Sequence, residues 1–144
     1  MKKNNILLIF LFLIIISCIS CKKNELKIYQ HDEINNYIDE LYQTINDLSL
    51  KYACFDLRDK DIYEEGHLRQ FQNINQEQLI NYILDNYRNN YYIYIFSENY
   101  LEDDILKELA NYKEVHILID NYDELRALGD EYFIFDTGPY DCMC

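Results

Sequence analysis

Asp56, Arg58, Gly66 and His67 fall within one short stretch, Phe55 to Ile74 (FDLRDKDIYEEGHLRQFQNI). An acid and an arginine two residues apart can hold a loop through charge-assisted hydrogen bonds. A glycine there leaves room for a backbone turn that a side chain would obstruct, and the histidine after it can bond back to the loop. Thiols are the other reactive groups. Cys142 and Cys144 end the chain as Cys-Met-Cys. They can serve as a tail of no consequence, bind a soft metal, accept sulfur, or pair with another cysteine such as Cys21. Two ligands fall short of a structural zinc site. His31 and His116 have no Cys or His partner at ligand spacing, so no metal or cofactor is expected. Cys54 sits among Tyr52, Phe55 and Leu57 and reads as a buried core thiol.

The elements that must position these groups alternate. Ile34, Tyr37, Ile38, Leu41, Ile45 and Leu48 make one helical stripe. Tyr52 to Leu57 is a short, nearly continuous apolar run, as expected of a strand covered on both faces. Leu79, Ile80, Ile83, Leu84 and Tyr87 predict a second helix, Tyr91 to Phe96 a strand, and Leu101, Ile105, Leu106 and Leu109 a third helix. Val115 to Ile119 reads as a strand, Tyr122 to Leu128 as a short helix, and Tyr132 to Phe135 as a last strand. Such alternation predicts an α/β fold: a central, mostly parallel sheet of four to five strands with helices on both faces. Asp56 and Arg58 then lie at the C-terminal end of a central strand, the edge where open α/β sheets form their crevices.

The N-terminus reads differently. Lys2 and Lys3 precede an unbroken apolar run, Ile6 to Ile16, too short to span a bilayer comfortably and suited to a secretory signal. Ile15-Ile16-Ser17-Cys18 resembles the bacterial lipobox, with Cys18 as the lipidated residue and Cys21 as the fallback. The expected division is a signal peptide at 1–17, the lipidated cysteine and a tether at 18–26, a domain at 27–136 and a cysteine-containing tail at 137–144. Thirteen basic and 26 acidic side chains give a net charge of −13, and loss of Lys2 and Lys3 with the signal makes it −15. So acidic a domain repels nucleic acid and anionic headgroups. Attachment must therefore come from lipid, and from more than one acyl chain. The expected place is the bacterial cell envelope, with the membrane as partner through that anchor.

Asp56-Leu57-Arg58, Tyr63, Gly66-His67-Leu68 and Asn73-Ile74 together resemble the rhodanese-like domain, in order and in spacing, and the element order agrees over residues 27 to 136. The resemblance implies that Asp56, Arg58, Gly66 and His67 are scaffold residues of that fold. One departure is internal: the family usually continues with Gly-Ala where this chain has Gln70-Phe71.

The resemblance also implies where reaction would occur. Rhodaneses use a cysteine just after the next central strand, whose thiolate takes sulfane sulfur from a donor and passes it on. Such a thiolate needs a loop of backbone N–H groups, a helix N-terminus and usually a cation. Here that place holds Phe96, Ser97, Glu98, Asn99 and Tyr100, and no cysteine lies between Cys54 and Cys142. The segment is about three or four residues short, has no Gly, Lys or Arg, and carries Glu98, Glu102, Asp103 and Asp104. Those acids would raise a thiol pKa and repel an anionic donor. Asn99 and Glu102 have the spacing of a capping box. Ser97 has no evident general base, and Cys-x5-Arg phosphatase chemistry lacks the same residues. Tyr100 or Phe71 filling the crevice would leave no cradle.

Three functions follow as expectations. One is a non-catalytic rhodanese-like module on a lipid anchor, binding or scaffolding an envelope protein or small ligand. Another is a divergent sulfurtransferase using Cys142 or Cys144, although Asp136 and Asp141 are poor neighbours for a thiolate. The third is a binder of cations or basic peptides in the acidic crevice.

Overall fold

The strand Tyr92–Ser97 shows why the sheet forms. Ile93 and Ile95 point to one face and Tyr94 and Phe96 to the other, and all four are at most 1% exposed. Apolar side chains on both faces need cover on both sides. The structure is a computed structural model that describes residues 24–140. In chain order it contains β1 (Glu25–Tyr29), a 3-10 turn (His31–Glu33), α1 (Ile34–Asn46), β2 (Tyr52–Asp56), α2 (Lys60–Glu65), β3 (His67–Leu68) and β4 (Phe71–Asn73). Then come α3 (Gln76–Asn86), β5 (Tyr92–Ser97), α4 (Asp103–Leu109), β6 (Glu114–Ile119), α5 (Tyr122–Gly129) and β7 (Phe135–Asp136).

Five strands make one sheet in the order β1-β6-β5-β2-β4, and every pair is parallel. On one face α1 and α5 bring Tyr37, Ile38, Leu41 and Leu125 against Cys54, Tyr94, Phe96 and Leu118. On the other, α3 and α4 bring Leu79, Ile83 and Leu109 against Phe55, Ile93, Ile95 and Ile117. Each large apolar side chain buried this fully contributes about 1.5–3 kcal/mol. Cys54 is 3% exposed, and burial pushes its thiol pKa well up. It is a core residue. No helix among the described residues is long and apolar enough to cross a membrane.

Four expectations need correction. Glu25 and Leu26, assigned above to the tether, belong to β1, an edge strand in register with β6; Glu25 and Lys27 mask its apolar alternation. Leu48 lies beyond the last turn of α1 and is 99% exposed, so it is no part of the helical stripe. Leu84, placed on the apolar stripe of α3, is 59% exposed. The last strand is only Phe135–Asp136 and lies outside the main sheet, antiparallel to β3. Tyr132 and Ile134 face solvent because Phe133 and Phe135 take the inward places.

Candidate functional site

Asp56 is the last residue of β2, and its carboxylate turns the chain. Oδ1 accepts from the Arg58 backbone N–H at 3.0 Å and from Arg58 Nε at 3.1 Å, and Oδ2 accepts from Nη2 at 2.7 Å. Nη2 also donates to the Gly66 carbonyl at 2.8 Å. Both charged side chains are 2% exposed, so the pair is held together away from water. Asn73, on β4, ties the same turn by donating to the carbonyls of Asp56 and Arg58.

The four motif residues do come together. His67 Nδ1 lies 2.9 Å from the Tyr63 carbonyl, and its ring stacks on Tyr63 at 3.8 Å. Tyr63 in turn donates to the Phe71 carbonyl at 2.6 Å. Gly66 has φ 176°, extended backbone open to any residue, so its requirement is space. A Cβ there would sit 2.8 Å from Tyr122 Oη. Tyr122 opens α5 and lays its ring 4.0 Å over the Arg58 guanidinium. Its Oη is buried with no hydrogen-bond partner among the described residues. Phe96 adds a second ring, 5.2 Å from that guanidinium.

Ser97 ends β5 and is 4% exposed. Its Oγ donates to the Asn99 carbonyl at 2.7 Å and accepts from the Asn99 N–H at 3.2 Å, so the hydroxyl closes a turn on itself. Glu98 is exposed, and Tyr100 is 69% exposed with its Oη accepting from Gln30. The capping box does not form. Leu101 is drawn into the core (6% exposed), which delays α4 to Asp103; Glu102 becomes its N-cap, with no side-chain hydrogen bond. Nor do Tyr100 or Phe71 fill the crevice, since one faces solvent and the other is core. Tyr122 does so instead. Beside it remains a cleft of about 320 Å³, where Arg58 and Arg126 are matched by Glu65, Glu98 and Asp123. That mixture of charge does not select an anion.

A second polar cluster lies under α1 and was not read from the sequence. His116, fully buried on β6, has Nδ1 3.0 Å from Glu40 and 3.0 Å from Tyr29 Oη, and Nε2 2.9 Å from Glu114. Its ring stacks on Tyr94 at 4.5 Å. Glu40, Glu114 and His116 offer ligand atoms within 4.8 Å of one another. Lys27 already answers their charge, with Nζ 2.8 Å from Glu40 and 3.6 Å from Glu114. The cluster therefore reads as an internal ion network and not as a metal centre. Burial holds the His116 pKa below its ordinary value against the raising pull of both acids. A Glu114-x-His116 alternation was the available signal, but Glu40 comes from a distant helix.

No family model matches the sequence, and no curated protein matches it. Among solved structures, the chain is similar to the crystal structure of the Alr3790 protein from Anabaena sp., with a TM-score of 0.54 and 17% identity over 70% of this chain and 90% of that one. It is also similar to the solution NMR structure of the rhodanese-like domain of Alr3790, with a TM-score of 0.52 and 17% identity over 74% and 80%. The fold is rhodanese-like. Within this rhodanese-like fold, the loop after β5 carries Ser97 and acids, and the only cysteine among the described residues is the buried Cys54. Cys18, Cys21, Cys142 and Cys144 lie outside the described residues. Asp56, Arg58, Gly66 and His67 bond to one another and to the backbone around them, and Arg58 and Gly66 also line the cleft.

Proposed function

We propose that this chain is a lipid-anchored rhodanese-like module of the bacterial cell envelope that binds or scaffolds a partner and carries out no sulfur transfer. The observation that carries the catalytic half is the turn at Ser97. Where a thiolate would rest there is a hydroxyl bonded to its own loop, Glu98 is its neighbour, and the nearby Arg58 is committed to Asp56. A persulfide-forming site needs the reverse: a stabilised thiolate and an unspent positive charge. The anchor half rests on the basic start, the apolar run and Ile15-Ile16-Ser17-Cys18. The partner, an envelope protein or a small ligand, would meet the acidic loops around the cleft.

The test is a cyanide–thiosulfate assay on the purified full chain, with mass detection of persulfide. The expected result is neither turnover nor stable persulfide. Turnover lost in Cys142→Ser or Cys144→Ser would overturn the proposal in favour of a sulfurtransferase with a relocated thiol. Intact mass of the membrane-extracted protein tests acylation, at Cys18 or at Cys21.

A further inference from the structure

The chain enters its fold at the N-terminal edge of the sheet. Asn24 Nδ2 donates to the carbonyls of Ala110 and Asn111, and the Glu25 N–H donates to Lys113 O at 3.1 Å. Three loops meet there. The Tyr92 N–H donates to Lys51 O at 2.8 Å, and the Lys113 N–H donates to Asn89 O at 2.9 Å, so residues 47–51, 87–91 and 110–113 form one continuous surface.

That surface carries Lys51, Arg88 and Lys113. Lys113 Nζ sits 4.4 Å over the Tyr92 ring and donates to its hydroxyl at 2.9 Å, and Lys51 Nζ lies 6.0 Å from the Tyr91 ring. Acids share this edge: Asp47 accepts from Ser49 and Glu108 from Asn111, Glu25 and Glu114 face the single Lys27, and Asp85 is exposed. At the tip of the first loop stands Leu48, 99% exposed. A lone exposed leucine says nothing by itself; here it stands among cations and tyrosines on the edge where the N-terminal segment arrives. The opposite edge is much more acidic. Its loops carry Asp32, Glu33, Glu98, Glu102, Asp123 and Glu124, all exposed.

The geometry points to the N-terminal edge, with Leu48 at its tip and Lys51, Arg88 and Lys113 around it, as the face that rests on the anionic bilayer carrying the anchor, turning the acidic crevice away from that bilayer. This rests on the lipid-anchor reading above. Five residues lie between Cys18 and Asn24 in the sequence, so the six steps from one to the other reach at most about 20 Å. A tether of that length keeps the domain within a Debye length or two of the headgroups without setting its orientation. Charge then sets it. The net negative domain is repelled as a whole, least at the N-terminal edge, where cations and acids are mixed, and most at the acidic one. Leucine and tyrosine are also suited to the headgroup boundary.

The chain has no tryptophan, so Leu48→Trp and Tyr100→Trp each place a single reporter at opposite edges. The acylated full chain is reconstituted in phosphatidylglycerol–phosphatidylethanolamine vesicles containing brominated lipid. Leu48→Trp should be quenched several-fold more than Tyr100→Trp, and adding Lys51→Glu, Arg88→Glu and Lys113→Glu should reduce that difference. Quenching of acylated protein that is equal at the two edges, or stronger at Tyr100→Trp, overturns the docking face and leaves the anchor standing. An unmodified intact mass overturns the anchor itself, and the docking face with it.

Discussion

The ring of Tyr122 lies 4.0 Å over the guanidinium of Arg58, closing one side of an ion pair that Asp56 closes at 2.7 Å on another. Nε and Nη2 of the arginine are spent on a carboxylate and a carbonyl, and an aromatic face covers the guanidinium. The crevice of this fold is thus built around an internal contact.

Removing Arg58 strands a buried carboxylate. Arg58→Met should lower stability by about 3–5 kcal/mol, because Asp56 is left desolvated without a partner. Arg58→Lys keeps the charge but not the fork or the stacking plane, and should cost about 1–3 kcal/mol. Urea unfolding measures both. A lysine variant within about 0.5 kcal/mol of the parent would show that the fork geometry is unimportant.

Gly66 and Tyr122 should be energetically coupled. Gly66→Ala puts a methyl against the Tyr122 hydroxyl and should cost about 1–3 kcal/mol by overpacking. Tyr122→Phe removes a buried hydroxyl without a described partner, so it should be near neutral or stabilising. In the double variant the alanine penalty should shrink by at least about 0.5 kcal/mol. Strict additivity in thermal or urea unfolding would contradict the contact.

Stability should fall on mild acidification because of His116. Burial keeps the folded imidazole pKa below its ordinary 6.5, so below that pH the unfolded chain takes up a proton that the folded chain resists. Stability is therefore lost as pH falls from 6.5 toward the folded value. Glu40 acts in a lower window. Burial works to raise its pKa, but hydrogen bonds from Lys27 and Tyr29 and the pull of His116 bring it below 4.5. Its contribution is present above 4.5 and lost as pH drops through the folded value. Melting temperatures followed from about pH 7.5 to 5.5 should show a slope that His116→Gln flattens. An unchanged slope in that variant would locate the titration elsewhere.

A thiol placed at Ser97 should not bring sulfur-transfer chemistry. Ser97→Cys places sulfur at the end of β5, but beside Glu98 and with Arg58 already engaged. Its reaction with iodoacetamide at neutral pH should be no faster than that of a free cysteine, with a pKa of about 8.5 or higher. Rapid labelling together with turnover of thiosulfate would mean that the loop still stabilises a thiolate.

Period and order are local properties, and these were legible. The stripe of α1, the two-sided run of β5 and the sequence Asp56-x-Arg58…Gly66-His67 are each written within a few residues, so the sheet, its helices and the motif's place at a strand end followed from them. The charge of the loop after β5 and its missing cysteine were equally plain. Edges were harder. In β1, Glu25 and Lys27 are charges that a tether would also carry, and only pairing with β6 makes that stretch a strand.

Two features depend on distance in space. Tyr122 reads as an ordinary apolar residue of a short helix; its role exists because α5 brings it over Arg58 and Gly66, from far along the chain. The Glu40–His116 contact likewise joins a helix to a strand at 3.0 Å. Composition and spacing sufficed for the fold and for the absence of a cysteine from the loop after β5, since both are local and one-dimensional. What occupies the crevice, and which charges are already spent, is settled by long-range packing, which no periodicity encodes.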